Sequence, residues 1–224
     1  MKALWFLEID PVVNNDLIRE MMGSVSTEKN QRLSKYRHEI DRKLSVYSEI
    51  LARCLACRLT GAAFDKTAIF YGETGKPVFE YLPNCHFNIS HTKYAVAAVV
   101  ASQPVGVDVE RVRDIDRRVA ETALTGNELS WLDKAGAENW RQRFFEIWTK
   151  KEAVLKRSGE GLAGGLKTTD VTCLNTDLNI STFQFDAYVL SACTAELLTE
   201  SDIYCLTEEE FIKMWRFYTL YVGN

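Results

Sequence analysis

The sequence predicts an α+β protein made of two similar α/β halves related by a pseudo-two-fold axis. Each half is expected to hold a long helix packed on a small antiparallel sheet. Three observations lead there. Two long amphipathic patterns, over 41–59 and 138–157, are each followed by short apolar runs of strand length. With 46% hydrophobic and 26% charged residues, the composition is that of an ordinary globular protein. A length of 224 residues suits one large domain or two small ones, each with a real core. The halves are taken as residues 1–104 and 105–224.

In chain order, residues 4–9 form a short β-like run, and 16–22 and 27–36 read as short helices, the second rich in Lys and Arg. Over 41–59, Leu44, Tyr47, Leu51, Leu55 and Leu59 recur at three- and four-residue steps. That spacing is one face of a helix, and Gly61 is its stop. Strands are expected over 87–89, 95–100 and 105–109, with Ser102-Gln103-Pro104 as the last turn. Thr125-x-x-Glu128 is a capping box. Trp140, Phe144, Ile147, Trp148 and Leu155 mark the apolar side of the second long helix, which ends near Gly159. Strands follow over 170–174, 180–185, 188–193 and 203–206, and Thr207-x-x-Glu210 opens a last helix.

A net charge of −4 argues against bulk binding to nucleic acid or to an anionic membrane, which need a basic surplus. The start of the chain carries Lys2, Glu8 and Asp10 and has no apolar signal core, and the most apolar window, 94–107, is too short and broken to span a bilayer. A cytoplasmic location is expected, with six reduced, packed cysteines. Cys54-x-x-Cys57 lies deep in a helical pattern and reads as packing, not redox chemistry. The run from Gly159 to Gly164 spells G-x-G-x-x-G, but it follows a helix where a dinucleotide site must follow a strand. Gly72 to Pro77 is too short for a phosphate loop and has Pro77 where Ser or Thr is needed.

Three pieces remain. Asp108-Val109-Glu110 closes an apolar strand, and a period of two puts both acids on one face. Converging carboxylates need a cation or a shared proton, and magnesium suits them; two acids standing in water at a strand end fit the motif as well. In Trp148-Thr149-Lys150-Lys151-Glu152-Ala153-Val154-Leu155-Lys156, residues Trp148, Glu152 and Lys156 form one i, i+4 stripe. Glu152 would add a third carboxylate and Lys156 would hold phosphate oxygens; a surface Glu–Lys pair is the plainer alternative. Gly75-Lys76-Pro77 with Phe87-Asn88-Ile89-Ser90-His91 offers a cation, a hydroxyl and an imidazole near strand ends. Ser90 and His91 are neighbours, so they point to opposite sides of a strand and make no nucleophile–base pair.

In order and spacing these pieces resemble the 4′-phosphopantetheinyl transferases, in the surfactin-synthetase-activating form whose single chain holds two similar halves. The resemblance is strongest over 71–162. It implies a monomeric, magnesium-dependent enzyme that moves the phosphopantetheine arm of coenzyme A onto a serine of an apo acyl, peptidyl or aryl carrier protein. Adenosine 3′,5′-bisphosphate is released. By similarity, Asp108, Glu110 and Glu152 hold magnesium or manganese, Glu152 is the base for the carrier serine, directly or through a water on the ion, and Lys156 balances the leaving group. Lys76 and Pro77 border the adenine, and Ser90 and His91 contact phosphates. Lys29, Arg32, Arg42 and Lys43 are the candidates for the 3′-phosphate.

No nucleic acid or membrane partner is implied. The carrier is expected to be small, acidic and helical, so its docking face is sought among Arg111, Arg113, Arg117, Arg118 and Leu124; a solvated helix face explains this cluster equally well. Two other classes compete: a non-catalytic coenzyme A- or carrier-binding module of the same fold, and a magnesium-dependent nuclease. The intact acids and Lys156 disfavour the first, and the acidic chain disfavours the second.

Overall fold

The computed structural model describes residues 1–72, 75–159, 165–173 and 178–221. Residues 160–164 of the glycine-rich string, 73–74 of the rejected phosphate loop and 174 of the expected strand 170–174 lie outside the described residues.

Strand β1 (Lys2–Glu8) is followed by helices α1 (Asn15–Met22) and α2 (Thr27–Leu33), whose first turns are capped by the side chains of Asn14 and Ser26. Helix α3 (Glu39–Thr60) ends at Gly61, whose φ of 71° is the left-handed conformation that an L side chain resists. Two three-residue strands, β2 (Ile69–Tyr71) and β3 (Pro77–Phe79), pair with each other. They are too short for alternation to reveal. Strands β4 (His86–Thr92) and β5 (Ala95–Ala101) form a hairpin, and β6 (Gly106–Arg111) follows.

Helix α4 (Arg117–Ala123) precedes α5 (Gly126–Asp133), where both bonds of the Thr125–Glu128 capping box form. Helix α6 (Gly136–Ser158) ends at Gly159, again left-handed, with a φ of 79°. The strand expected at 170–174 does not form over its described residues. Asp170 instead accepts hydrogen bonds from the Thr172 backbone and from Thr125 and Asn127, and this local turn displaces a ladder. Strands β7 (Asn179–Phe185) and β8 (Tyr188–Thr194) form a second hairpin. The chain ends with β9 (Ile203–Leu206) and α7 (Glu208–Tyr221), with Thr207 and Glu210 bonding reciprocally at the helix start.

The strands sort into a four-stranded sheet, β4-β5-β1-β9, a three-stranded sheet, β6-β8-β7, and the small β2–β3 pair. Alternation along the central strands explains the layering. On β1, Ala3, Trp5 and Leu7 face α3, while Leu4 and Phe6 face the second sheet; β5 divides the same way, with Val96, Ala98 and Val100 against Ala97 and Val99. The first sheet is thus apolar on both faces, which is why β5 reads as an unbroken run, AVAAVVA. Helix α6 covers the far side of the second sheet, together with α4 and α5. Each long helix therefore packs on its own small sheet, as expected. One addition is that β9 pairs parallel to β1, so the end of the chain returns to the first sheet.

Cys54 and Cys57 are buried free thiols in the α3 core, and burial pushes the Cys57 thiol up to about 11. They pack and stay protonated. Among the described residues no helix is long and apolar enough to cross a membrane.

Candidate active site

The site lies where the edges of the two sheets meet. Strands β4 and β6 share no backbone ladder; alternate side chains of β4 join them. Asn88 Oδ1 accepts from the Val107 N–H at 2.9 Å, Ser90 Oγ donates to Asp108 Oδ1 at 2.8 Å, and Thr92 Oγ1 donates to Glu110 Oε2 at 3.1 Å. The two strands therefore run side by side in the same direction, and their polar faces meet in a seam.

Helix α6 lies directly on β6. A Cβ on Gly106 would stand 2.0 Å from the Ala153 carbonyl oxygen and 2.5 Å from the Arg157 nitrogen, so only glycine permits this approach. The contact sets Glu152 and Lys156 over the acids of β6. Lys156 Nζ donates to Asp108 Oδ1 at 2.6 Å and to Ser90 Oγ at 3.0 Å. Asp108 is 4% exposed, and its second oxygen, Oδ2, is buried without a partner.

Glu152, 5% exposed, makes no side-chain hydrogen bond or ion pair with the described residues. Burial first, then the charge of Asp108, pushes its carboxyl up to about 7, with Lys156 opposing and Glu110 adding. Burial and Asp108 also raise Glu110, against the hydrogen bond from Thr92. The donor set fits a hard divalent cation: three carboxylates converge with too little positive charge among them, and one buried oxygen is unmet. The fit is one of chemistry, since among the described residues no three His, Cys, Asp or Glu side chains are already arranged to hold an ion.

Around the acids stand the basic residues. Lys76 Nζ donates to the Arg157 carbonyl at 2.8 Å, at the negative end of α6, and burial together with Arg157 lowers its ammonium. Pro77 opens β3 opposite Tyr71. His91 faces away from Ser90; its crowded surroundings, then Lys156 and Lys29, hold its imidazole below the ordinary value. Lys29 is partly buried on α2, and Arg32 pairs with Glu28 at 3.3 Å and lies 4.0 Å over the Tyr71 ring.

Two family models match along the chain. Residues 13–104 match the profile described as 4′-phosphopantetheinyl transferase, N-terminal, and residues 104–208 match that of the 4′-phosphopantetheinyl transferase superfamily. The 4′-phosphopantetheinyl transferase gsp of Aneurinibacillus migulanus is 30% identical over 162 residues, 72% of this chain and 68% of that one. The chain belongs to the 4′-phosphopantetheinyl transferase superfamily. The transferase psf-1 of Bacillus pumilus is 27% identical, covering 87% of this chain and 89% of its own. The transferase Sfp of Bacillus subtilis strain 168 is 25% identical, covering 93% and 99%.

Within this transferase fold, not every expected residue reaches the β4–β6–α6 junction. Lys43 does not: it is 1% exposed, and its ammonium donates to the Asp10 and Val12 carbonyls and pairs with Glu208 at 2.8 Å. Its place in the sequence beside Arg42 concealed that it turns to the start of the last helix instead. Arg42 donates to the Leu33 and Tyr36 carbonyls, both at 3.4 Å, and so braces the end of α2. Glu128 is buried with Lys151, accepts from the Thr125 and Val171 backbones, and serves structure. Arg117 and Arg118 are exposed, paired with Asp133 and Asp116.

Asn88, Thr92 and Gly106 were assigned no role from the sequence. The alternation Asn88–Ser90–Thr92 on one strand face was the available signal for the first two. Nothing local marks Gly106, whose importance is the helix lying on it.

Proposed function

We propose that this transferase moves the 4′-phosphopantetheine arm of coenzyme A onto a serine of an apo carrier protein, and that the β4–β6–α6 junction is where it does so. The observation that carries this reading is the approach of α6 to β6 at Gly106, with Lys156 in contact with Asp108 and Ser90 and Glu152 within the field of Asp108.

Asp108, Glu110 and Glu152 are the residues that would hold magnesium, or manganese. A bound divalent ion would neutralise diphosphate charge and orient it for in-line displacement. The chain's own groups do the rest. Glu152 takes the proton of the carrier serine as its oxygen forms a bond to the β-phosphorus of coenzyme A. The bond from that phosphorus to the bridging oxygen breaks, and adenosine 3′,5′-bisphosphate leaves with the electron pair. Lys156 faces the growing negative charge, and Ser90 holds the Lys156 ammonium in place. His91, Lys29 and Arg32 receive the nucleotide phosphates, while Lys76 and Pro77 border the adenine. The carrier supplies the nucleophile, which accounts for a site without an activated Ser or Cys of its own.

The test is an apo carrier, coenzyme A and magnesium, read by intact-protein mass. Loading is expected. Asp108→Asn is expected to abolish it while circular dichroism and thermal midpoint stay near wild type; retained turnover would refute the assignment. Binding of coenzyme A without loading would instead select a non-catalytic module.

A further inference from the structure

Glu49, on α3, has no part in that chemistry, yet it is 1% exposed, and beyond the nearby Ser26 backbone neither carboxylate oxygen has a hydrogen-bond partner. Such a group is costly to bury, so something must recover the loss. Its ordinary helical partner would be Arg53, one turn on. That guanidinium is committed elsewhere: it donates to the Ser24 carbonyl, to the Phe64 carbonyl at 2.9 Å and to Thr67 Oγ1 at 3.3 Å. Arg32 is stacked on Tyr71 and paired with Glu28.

Lys29 is the cation left over. It is partly withdrawn from water and makes no ion pair or side-chain hydrogen bond with the described residues. Glu49 and Lys29 lie within each other's field, and Lys29 lies within that of His91, which also senses Lys156 and Asp108. A line of charge therefore runs from beneath α2 to the acids on β6. A plain structural salt bridge would have closed to contact. This pair stays open, which leaves the ammonium's donors available to an anion.

We propose that Glu49 is a positioning residue: its charge holds the Lys29 ammonium in place to take the 3′-phosphate of coenzyme A. This rests on the reading of Lys29 and Arg32 as phosphate ligands. Burial raises the Glu49 carboxyl and lowers the Lys29 ammonium, each opposed by the other's charge, as an open pair requires.

The experiment compares coenzyme A with 3′-dephospho-coenzyme A as donors to one apo carrier, for wild type, Glu49→Gln and Lys29→Ala. For Glu49→Gln, the KM for coenzyme A is expected to rise about tenfold, the size of one charge-assisted contact. The KM for the dephospho donor and both kcat values should hold. The thermal midpoint should not fall, because an amide is cheaper to bury than a bare carboxylate. Lys29→Ala should lose the preference for the phosphorylated donor as well. If Lys29→Ala loses it and Glu49→Gln keeps it, the proposal is overturned and the phosphate reading stands. If Lys29→Ala keeps it, both fall. A Glu49→Gln protein that melts lower and weakens both donors equally would make Glu49 structural and overturn the proposal.

Discussion

Asp108 uses one oxygen for both Ser90 and Lys156 and leaves the other buried and unmet, so the site is short of positive charge even with Lys156 in contact. Lys156→Met should therefore lower kcat by about 10²–10³, the size of a lost charge-stabilising donor, while KM for the carrier stays within a few-fold. Steady-state loading kinetics decide this; an unchanged kcat would remove Lys156 from the chemistry. Glu49 gives a prediction in pH. Burial holds its folded carboxyl above the ordinary value, against Lys29, Arg53, the Ser26 backbone and Arg32, with Tyr71 nearby. Between the ordinary and the raised value the folded protein holds a proton that the unfolded chain has lost. Stability therefore falls as pH rises through that window. Thermal midpoints of wild type should drop relative to Glu49→Gln from the ordinary carboxylate range upward, and parallel curves would contradict it.

At the level of elements, two contacts make the site: α6 lying on β6, and side chains joining β4 to β6. Gly106→Ala puts a methyl group into the α6 backbone, where no flexible side chain can yield. It should destabilise by about 1–3 kcal/mol or more and reduce loading even where the protein still folds, since Glu152 and Lys156 are displaced together. Denaturant midpoints and kcat measure the two effects, and a wild-type value of both would dispose of the close-approach argument. The long helices and hairpins were legible because three-residue and two-residue periods persist over many residues, and both stop glycines were found for the same reason. The strand at 170–174 was misread because Asp170 satisfies nearby backbone and side-chain groups locally, which β-propensity does not register. Strands β2 and β3 escaped because three residues carry no measurable period.

For the whole molecule, the C-terminal segment holds the first sheet. Strand β9 extends it beside β1, and Glu208 at the start of α7 receives Lys43 and the Tyr47 hydroxyl from α3. Lys43→Met removes that carboxylate's cation and leaves the Asp10 and Val12 carbonyls without their donor. A loss of about 2–4 kcal/mol is expected, with KM for coenzyme A unchanged. A raised KM with normal stability would return Lys43 to the binding set. Docking of the carrier is also a property of the whole surface. Arg117 and Arg118 are half neutralised by Asp133 and Asp116, so their reversal to Glu should raise KM for the carrier alone. Equal effects on carrier and coenzyme A would exclude that face.

From residue order and spacing alone came the α+β class, the two long helices, the pairing of Asp108 with Glu110 on one strand face, and the Glu152–Lys156 stripe. These depend on periodicity, which is local. Which lysine stands at the β6 acids and which one braces the last helix, why residue 106 has no side chain, and where Glu49 is buried depend on surfaces brought together from distant parts of the chain. Neighbours such as Arg42 and Lys43 diverge there because a helix turns about 100° per residue, so adjacent side chains meet different partners.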